Sequence, residues 1–108
     1  MGRGPEKIHK RMKILTIEEL MRHLRVDGEE EKEYIESLGE AAEEVVEKYL
    51  NRTMEEIESV EGKVPQSIVH ACLLIVADLY RNREASSQVQ VYGNPALMTL
   101  LRPHKRLV

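Results

Sequence analysis

The sequence predicts an all-α protein: a small helical bundle with a long acidic helix, a central apolar helix and a short helix at each end. Three observations lead there. The first is Pro65 to Glu84, PQSIVHACLLIVADLYRNRE, in which Ala71 to Ala77 is an unbroken apolar run extended by Ile68, Val69, Leu79 and Tyr80. A helix apolar nearly all round belongs between neighbours at the centre of a bundle. A buried strand competes for such a run, but the segment covers about five helical turns. Pro65 also stands where a first helical residue should. The second is the row Ile35, Leu38, Ala42, Val45 and Tyr49, spaced three, four, three and four, which is a helical stripe. The third is a set of helix start signals placed ahead of each apolar segment.

Taken in order, residues 1–12 form a basic arm without periodicity, expected to be poorly ordered up to residue 11, with Met12 at the start of the domain. Thr16 with Glu19 is a capping box, opening a short helix Ile17 to Leu24 with Leu20, Met21 and Leu24 as its stripe. Asp27 with Glu30 repeats the cap arrangement and starts the long helix, which runs to about Leu50. Ala41, Val46 and Leu50 widen its apolar face, Lys32–Glu36 and Glu44–Lys48 are possible pairs, and Gly39 suggests a close crossing. Asn51 to Val64 is read as a connection, with at most a helical turn over Met54–Val60. The central helix ends near Arg83, where cations suit its dipole. A loop follows over residues 85–92. Asn94 and Pro95 then start a last short helix, Ala96 to Leu101, which Pro103 stops. Residues 103–108 make a basic tail, expected to be poorly ordered from His104. The bundle domain is therefore residues 13–102. Its expected core is Leu73, Leu74, Val76 and Ala77 packed on Ile35, Leu38, Ala42, Val45, Leu20 and Leu24.

A chain of 108 residues is one domain. It has no Trp and no Phe, so Leu, Ile, Val, Met and Ala must build the core. The net charge of -3 hides a segregated pattern. Residues 1–25 hold seven Lys/Arg against three Glu; residues 26–48 hold two against ten acids. Residues 65–108 are basic again. Such a molecule suits docking against copies of itself or a partner. Its largest single-sign block is acidic, which argues against general nucleic-acid binding. No segment is long and apolar enough to cross a bilayer, and no apolar stretch follows the basic N-terminus as in a signal peptide, so a cytoplasmic origin is expected. The single Cys72 excludes an internal disulfide and reads as a small core residue.

No catalytic residue, cofactor site or metal site is expected. The glycines form no phosphate loop, and His9, His23, His70 and His104 lie in four separate segments without ligand spacing. His70 reads as structural. The candidate interface with another copy or a partner is electrostatic. Glu36, Glu40, Glu43 and Glu47 recur every three to four residues on one side of the long helix. Arg81 and Arg83 end the central helix, and Arg102, Lys105 and Arg106 lie in the closing segment. The plainer alternative is a solvated helix face. A small helical protein-binding adaptor and a DNA-binding regulator are the competing functions. The regulator needs a basic recognition helix, which neither short helix supplies.

Three segments in order carry a family resemblance. LTIEELMRHLRVD (residues 15–27) leads into IESLGEAAEEVVEKYLNRT (35–53). VPQSIVHACLLIVADLYRNREA (64–85) follows, then Tyr92-Gly93 and Leu97 to Arg102. Together they resemble the tailed-phage head-tail connector family, also called DNA-packaging or head-completion adaptors, over roughly Lys13 to Arg102. The arm before Met12 and the short connection at residues 51–64 depart from the family pattern. The resemblance implies a helical bundle that assembles as a homo-oligomeric ring at the virion head-tail junction. The ring would sit under the portal protein, extend the channel through which packaged DNA passes without sequence-specific binding, and present a platform to a downstream head-tail joining protein. Assembly would take place in the bacterial host cytoplasm, from a phage or a prophage.

Overall fold

Residues 12–82, 91 and 94–106 are described by the computed structural model of the chain. Its helices are α1 (Ile17–Leu24), α2 (Lys32–Leu50), α3 (Met54–Glu61), α4 (Gln66–Arg81) and α5 (Pro95–Leu101), closed by a 3-10 turn over Arg102–His104. There is no strand among the described residues. The all-α bundle is as predicted.

Helices α2 and α4 form the central pair, α1 packs on both, and α5 packs on α4. The rings of Tyr34, near the start of α2, and Tyr80, near the end of α4, lie 6.5 Å apart between centroids, so the two helices run antiparallel. Glu31 accepts a hydrogen bond from the Tyr80 hydroxyl at the same end. The core between the helices includes Leu20, Ile35, Ala42, Val46, Leu50, Ile57, Ile68, Ile75, Val76 and Leu101, all at most 1 % exposed. Fully burying an aliphatic side chain of this size is worth about 1.5–3 kcal/mol.

The local signals work as read at two helix starts, and a signal not read from the sequence acts at another. Thr16 and Glu19 make both bonds of a capping box, and Asn94 caps α5 with Pro95 next to it. A second box, Thr53 with Glu56, opens α3, so residues 54–61 form a full two-turn helix within the segment expected to be a connection. Gly62 ends it with φ 87°, a conformation open to glycine. Asp27, by contrast, does not cap α2. The carboxylate of Glu30 folds over Gly28, a turn intervenes, and the helix begins at Lys32, four residues after Gly28. Lys32 pairs with Glu29 at 3.3 Å. Gly39 does mark a close approach: a methyl group there would overlap the Met12 sulfur and the Leu20 side chain.

Two expectations are corrected. Of Leu73, Leu74, Val76 and Ala77, only Val76 is fully buried; the others are half-buried. The buried face of α4 is Ile68, Val69, Ala71, Cys72, Ile75 and Val76, because α1, α2 and α5 cover only one side of it. Leu24, Leu38 and Val45 are likewise only half-buried. The tail is the second. Residues 104–106 are held by hydrogen bonds to α2 and to the starts of α3 and α4, where the sequence reading expected disorder from His104. The expectations for residues 1–11, for Arg83 and for the loop over most of residues 85–92 fall outside the described residues.

Candidate assembly surface

The nine charged residues of the predicted interface separate once their partners are seen. Glu43 is not on the surface: it is 3 % exposed. Its carboxylate accepts backbone N–H bonds from Lys13 (2.6 Å), Ile14 (2.9 Å) and Leu15 (3.0 Å). A buried carboxylate needs such donors, and three of them satisfy this one. Glu47, one turn on, accepts from the Met54 N–H at 2.7 Å and from the Lys13 ammonium at 2.9 Å. Lys13 also reaches Glu55 at 3.1 Å. The Glu47 hydrogen bond leads in holding the Lys13 ammonium above its ordinary pKa. A backbone hydrogen bond, then Lys13, hold the Glu55 carboxyl below its own. Half of the acidic row thus ties the start of the domain and the start of α3 to α2.

The basic tail is spent in the same way. The Arg106 backbone N–H donates to Leu50 O at 2.8 Å, and its guanidinium donates to Asn51 O at 2.7 and 3.1 Å. Lys105 donates to Tyr49 O at 2.8 Å, with its ammonium 4.5 Å from the centre of the Tyr49 ring. Arg106 also meets Glu56 at 3.3 Å. Two cations and one N–H therefore close the C-terminal carbonyls of α2, where the helix dipole favours positive charge. Arg52 donates to His104 O at 3.1 Å, and His104 Nε2 lies 2.8 Å from Ser67 Oγ.

Glu36, Glu40, Arg81 and Arg102 remain available: the first two half-buried on α2, the last two exposed. Arg81 lines a cleft of about 180 Å³ between α4 and α5, with Leu74, Asp78 and Asn94. Arg102 lines a broader apolar groove of about 560 Å³ with Pro95, Met98, Thr99 and Pro103. Burial pushes the Cys72 thiol well above its ordinary pKa, which makes it a core residue rather than a nucleophile. Among the described residues no group of His, Cys, Asp and Glu is arranged to hold a metal, and no helix is long and apolar enough to cross a membrane.

What the sequence reading missed is the outward side of α4. His70, Leu73, Leu74, Ala77 and Arg81 follow one another at spacings of three, one, three and four, so they share a face. His70 and Arg81 are exposed, and the residues between are half-buried. Its signal is an apolar run too wide for one core face, a pattern that by itself implies burial on every side.

This arrangement is a small all-α bundle with no catalytic or metal-binding cluster among the described residues. The model of the phage gp6-like head-tail connector family matches residues 14–100, and the chain belongs to that family. In fold it is similar to the crystal structure of bacteriophage HK97 gp6, with a TM-score of 0.68 at 20 % identity, covering 86 % of this chain and 94 % of that one. No curated protein matches it.

Proposed function

We propose that this chain is the subunit of a ring that sits beneath the portal, joins head to tail and extends the DNA channel. The observation that carries the reading is the family match over residues 14–100, with a fold that follows HK97 gp6 along nearly its whole length. The surface supports it. A ring needs two different, complementary patches on each subunit. The outward side of α2 is acidic, with Glu33, Glu36, Glu40 and Glu44, and the end of α4 carries Arg81. Head-to-tail repetition brings the acidic side of one copy to the Arg81 end of the next. Arg102, beside an apolar groove on α5, is then left for the portal or for the joining protein that follows. Exposed ion pairs contribute only ~0.2–1 kcal/mol each, so the portal acts as a template that holds many weak contacts together. The subunit's work is structural, with no reaction assigned to it. Any part of the acidic side left facing the channel would let DNA pass without being held, since fixed phosphate contacts need cations.

The test is electron microscopy of portal-bearing heads with and without the purified protein. Ring density added below the portal is the expected result. Heads that gain no density at saturating protein overturn the reading.

A further inference from the structure

Helix α4 stands between α2 and α5, and both pack on it. Tyr80 meets Tyr34 of α2; Asp78, two residues earlier and so on the opposite side of the helix, lines the cleft with α5. The outer flanks of α2 and α5 are therefore far sides of the molecule, and they differ in charge. On α2, Glu33, Ser37, Glu40 and Glu44 follow at four, three and four residues and share the outer flank, with Glu33 and Glu44 exposed at its ends. On the α5 side, Arg81 ends α4 and Arg102 follows α5, both exposed, with Pro95, Met98 and Thr99 of the groove between them. Asp78, the one acid lining the cleft beside Arg81, is held by the Asn82 amide at 3.0 Å. Among the described residues, none of Glu33, Glu44, Arg81 and Arg102 has an ion-pair partner. The flanks also match in height. Glu33 and Arg81 each lie one residue outward from the Tyr34–Tyr80 pair, so they are level. His104 meets Ser67, thirteen residues back along α4 from Tyr80, which is the level of Glu47, thirteen residues on from Tyr34. Arg102 lies two residues before His104 in the 3-10 turn, ~4 Å along the axis, and so comes level with Glu44.

We infer that the outer flank of α2 in one copy lies on the α5 flank of the next, with Glu33 at Arg81, Glu40 at the Thr99 hydroxyl and Glu44 at Arg102. The proposal rests on the ring reading and gives it a register, in which Arg102 goes to the same neighbour as Arg81 and not to the portal. Two different patches on opposite sides of a subunit are what a ring of many copies needs, because each copy then turns only a little from the last. The turn is about an axis along the helices. Such a turn keeps every height, so groups that are level within one chain are level between chains. Ser37 is small and leaves α2 shallow opposite Pro95 and Met98, where the helix covers the groove. Lys48, one turn past Glu44, falls beyond Arg102. Laying α2 flank on α2 flank opposes acid to acid, which electrostatic matching disfavours.

The test reverses charges and reads affinity for portal-bearing heads at low salt. E33R, R81E, E44R and R102E all change exposed residues, so each free chain is expected to keep its thermal midpoint within a few degrees. Each is also expected to lose about tenfold or more in affinity for heads, because the like charges recur at every contact around the ring. The level pairs, E33R/R81E and E44R/R102E, are expected to regain most of that loss. The crossed pairs, E33R/R102E and E44R/R81E, are expected to stay as weak as the single variants, although their net charge is the same as that of the level pairs. A difference between level and crossed pairs is not produced by damage to the fold or by a change in net charge. Single variants that bind like wild type, or level and crossed pairs that behave alike, overturn this contact while leaving the ring in place. Failure of the wild-type chain to assemble on heads overturns the ring and the contact together.

Discussion

The two ends of the described chain are fastened to the same helix by opposite chemistries. At the entry, α2 supplies a side chain: the Glu43 carboxylate takes the N–H groups of Lys13, Ile14 and Leu15. At the exit, α2 supplies backbone: the carbonyls of Tyr49, Leu50 and Asn51 take donors from Lys105 and Arg106. The first fastening is one buried anion serving three donors. The second is several donors, partly exposed, each serving its own acceptor. The difference is one of redundancy. Removing the anion leaves three N–H groups without a partner, two of them part-buried and one buried. Removing a cation leaves carbonyls that water can reach.

The largest expected effect breaks the entry. Glu43→Ala should cost about 3–5 kcal/mol by thermal or denaturant unfolding, from three N–H donors left without a partner at about 1–3 kcal/mol each, less for the two that water can partly reach. Glu43→Gln keeps one acceptor oxygen but turns an amide NH2 toward the donors, and should fall between wild type and Ala. A loss below about 1 kcal/mol for Glu43→Ala would mean that the entry is held by something else. The exit should be softer: Arg106→Ala is expected to cost ~1–2 kcal/mol, from one capping interaction and the partly exposed bonds to Asn51. A cost equal to that of Glu43→Ala would erase the contrast. Between the two fastenings lies α3, whose Thr53 cap can be compared with that of α1. Thr53→Ala and Thr16→Ala should each cost ~1 kcal/mol, and amide exchange should localise the first to residues 54–61.

The smallest effect is a pH dependence at Lys13 and Glu55. The Lys13 pKa is raised in the folded chain, so its contribution is complete below its ordinary value of 10.5 and fades as pH climbs through the folded one. The Glu55 pKa is lowered, so its contribution is complete above 4.5 and fades as pH falls through its folded value. Lys13→Met should therefore flatten the stability profile at both limits and change little between them. Both groups are at the surface, and salt should shrink the effect.

These contrasts also explain what could be read from the sequence. Local signals were legible: Thr16 with Glu19, Asn94 with Pro95, and the three-four stripe of α2 all act within a few residues of themselves. The Thr53–Glu56 box carries the same signal as Thr16–Glu19, yet it stands before the mixed segment MEEIESVE with only Met54 and Ile57 buried. Its apolar stripe is too short to mark a helix by periodicity. Glu43 was not legible. The row of acids on α2 runs along the border between core and solvent, and Glu43 falls on the inner side only because residues 13–15 return beside it. That contact spans some thirty residues of chain. The fate of Lys105 and Arg106 likewise depends on a helix end more than fifty residues away. On α4 the apolar pattern was read correctly, but not its division. Sequence shows that Leu73, Leu74 and Ala77 avoid charge; which of them face this chain and which face outward depends on where α1, α2 and α5 come to rest.

The two fastenings lie seven residues apart on α2, from Glu43 to Leu50, which is ~10 Å along the helix axis. The points where the domain begins and ends are thus neighbours. A domain whose first and last described residues are adjacent is a good subject for circular permutation. A short flexible linker from residue 106 to residue 12, with new ends opened at the exposed Gly62–Lys63 turn, should keep the bundle intact. The same adjacency means that the chain enters the bundle at residue 12 and leaves it at residue 106 on one side of the end of α2.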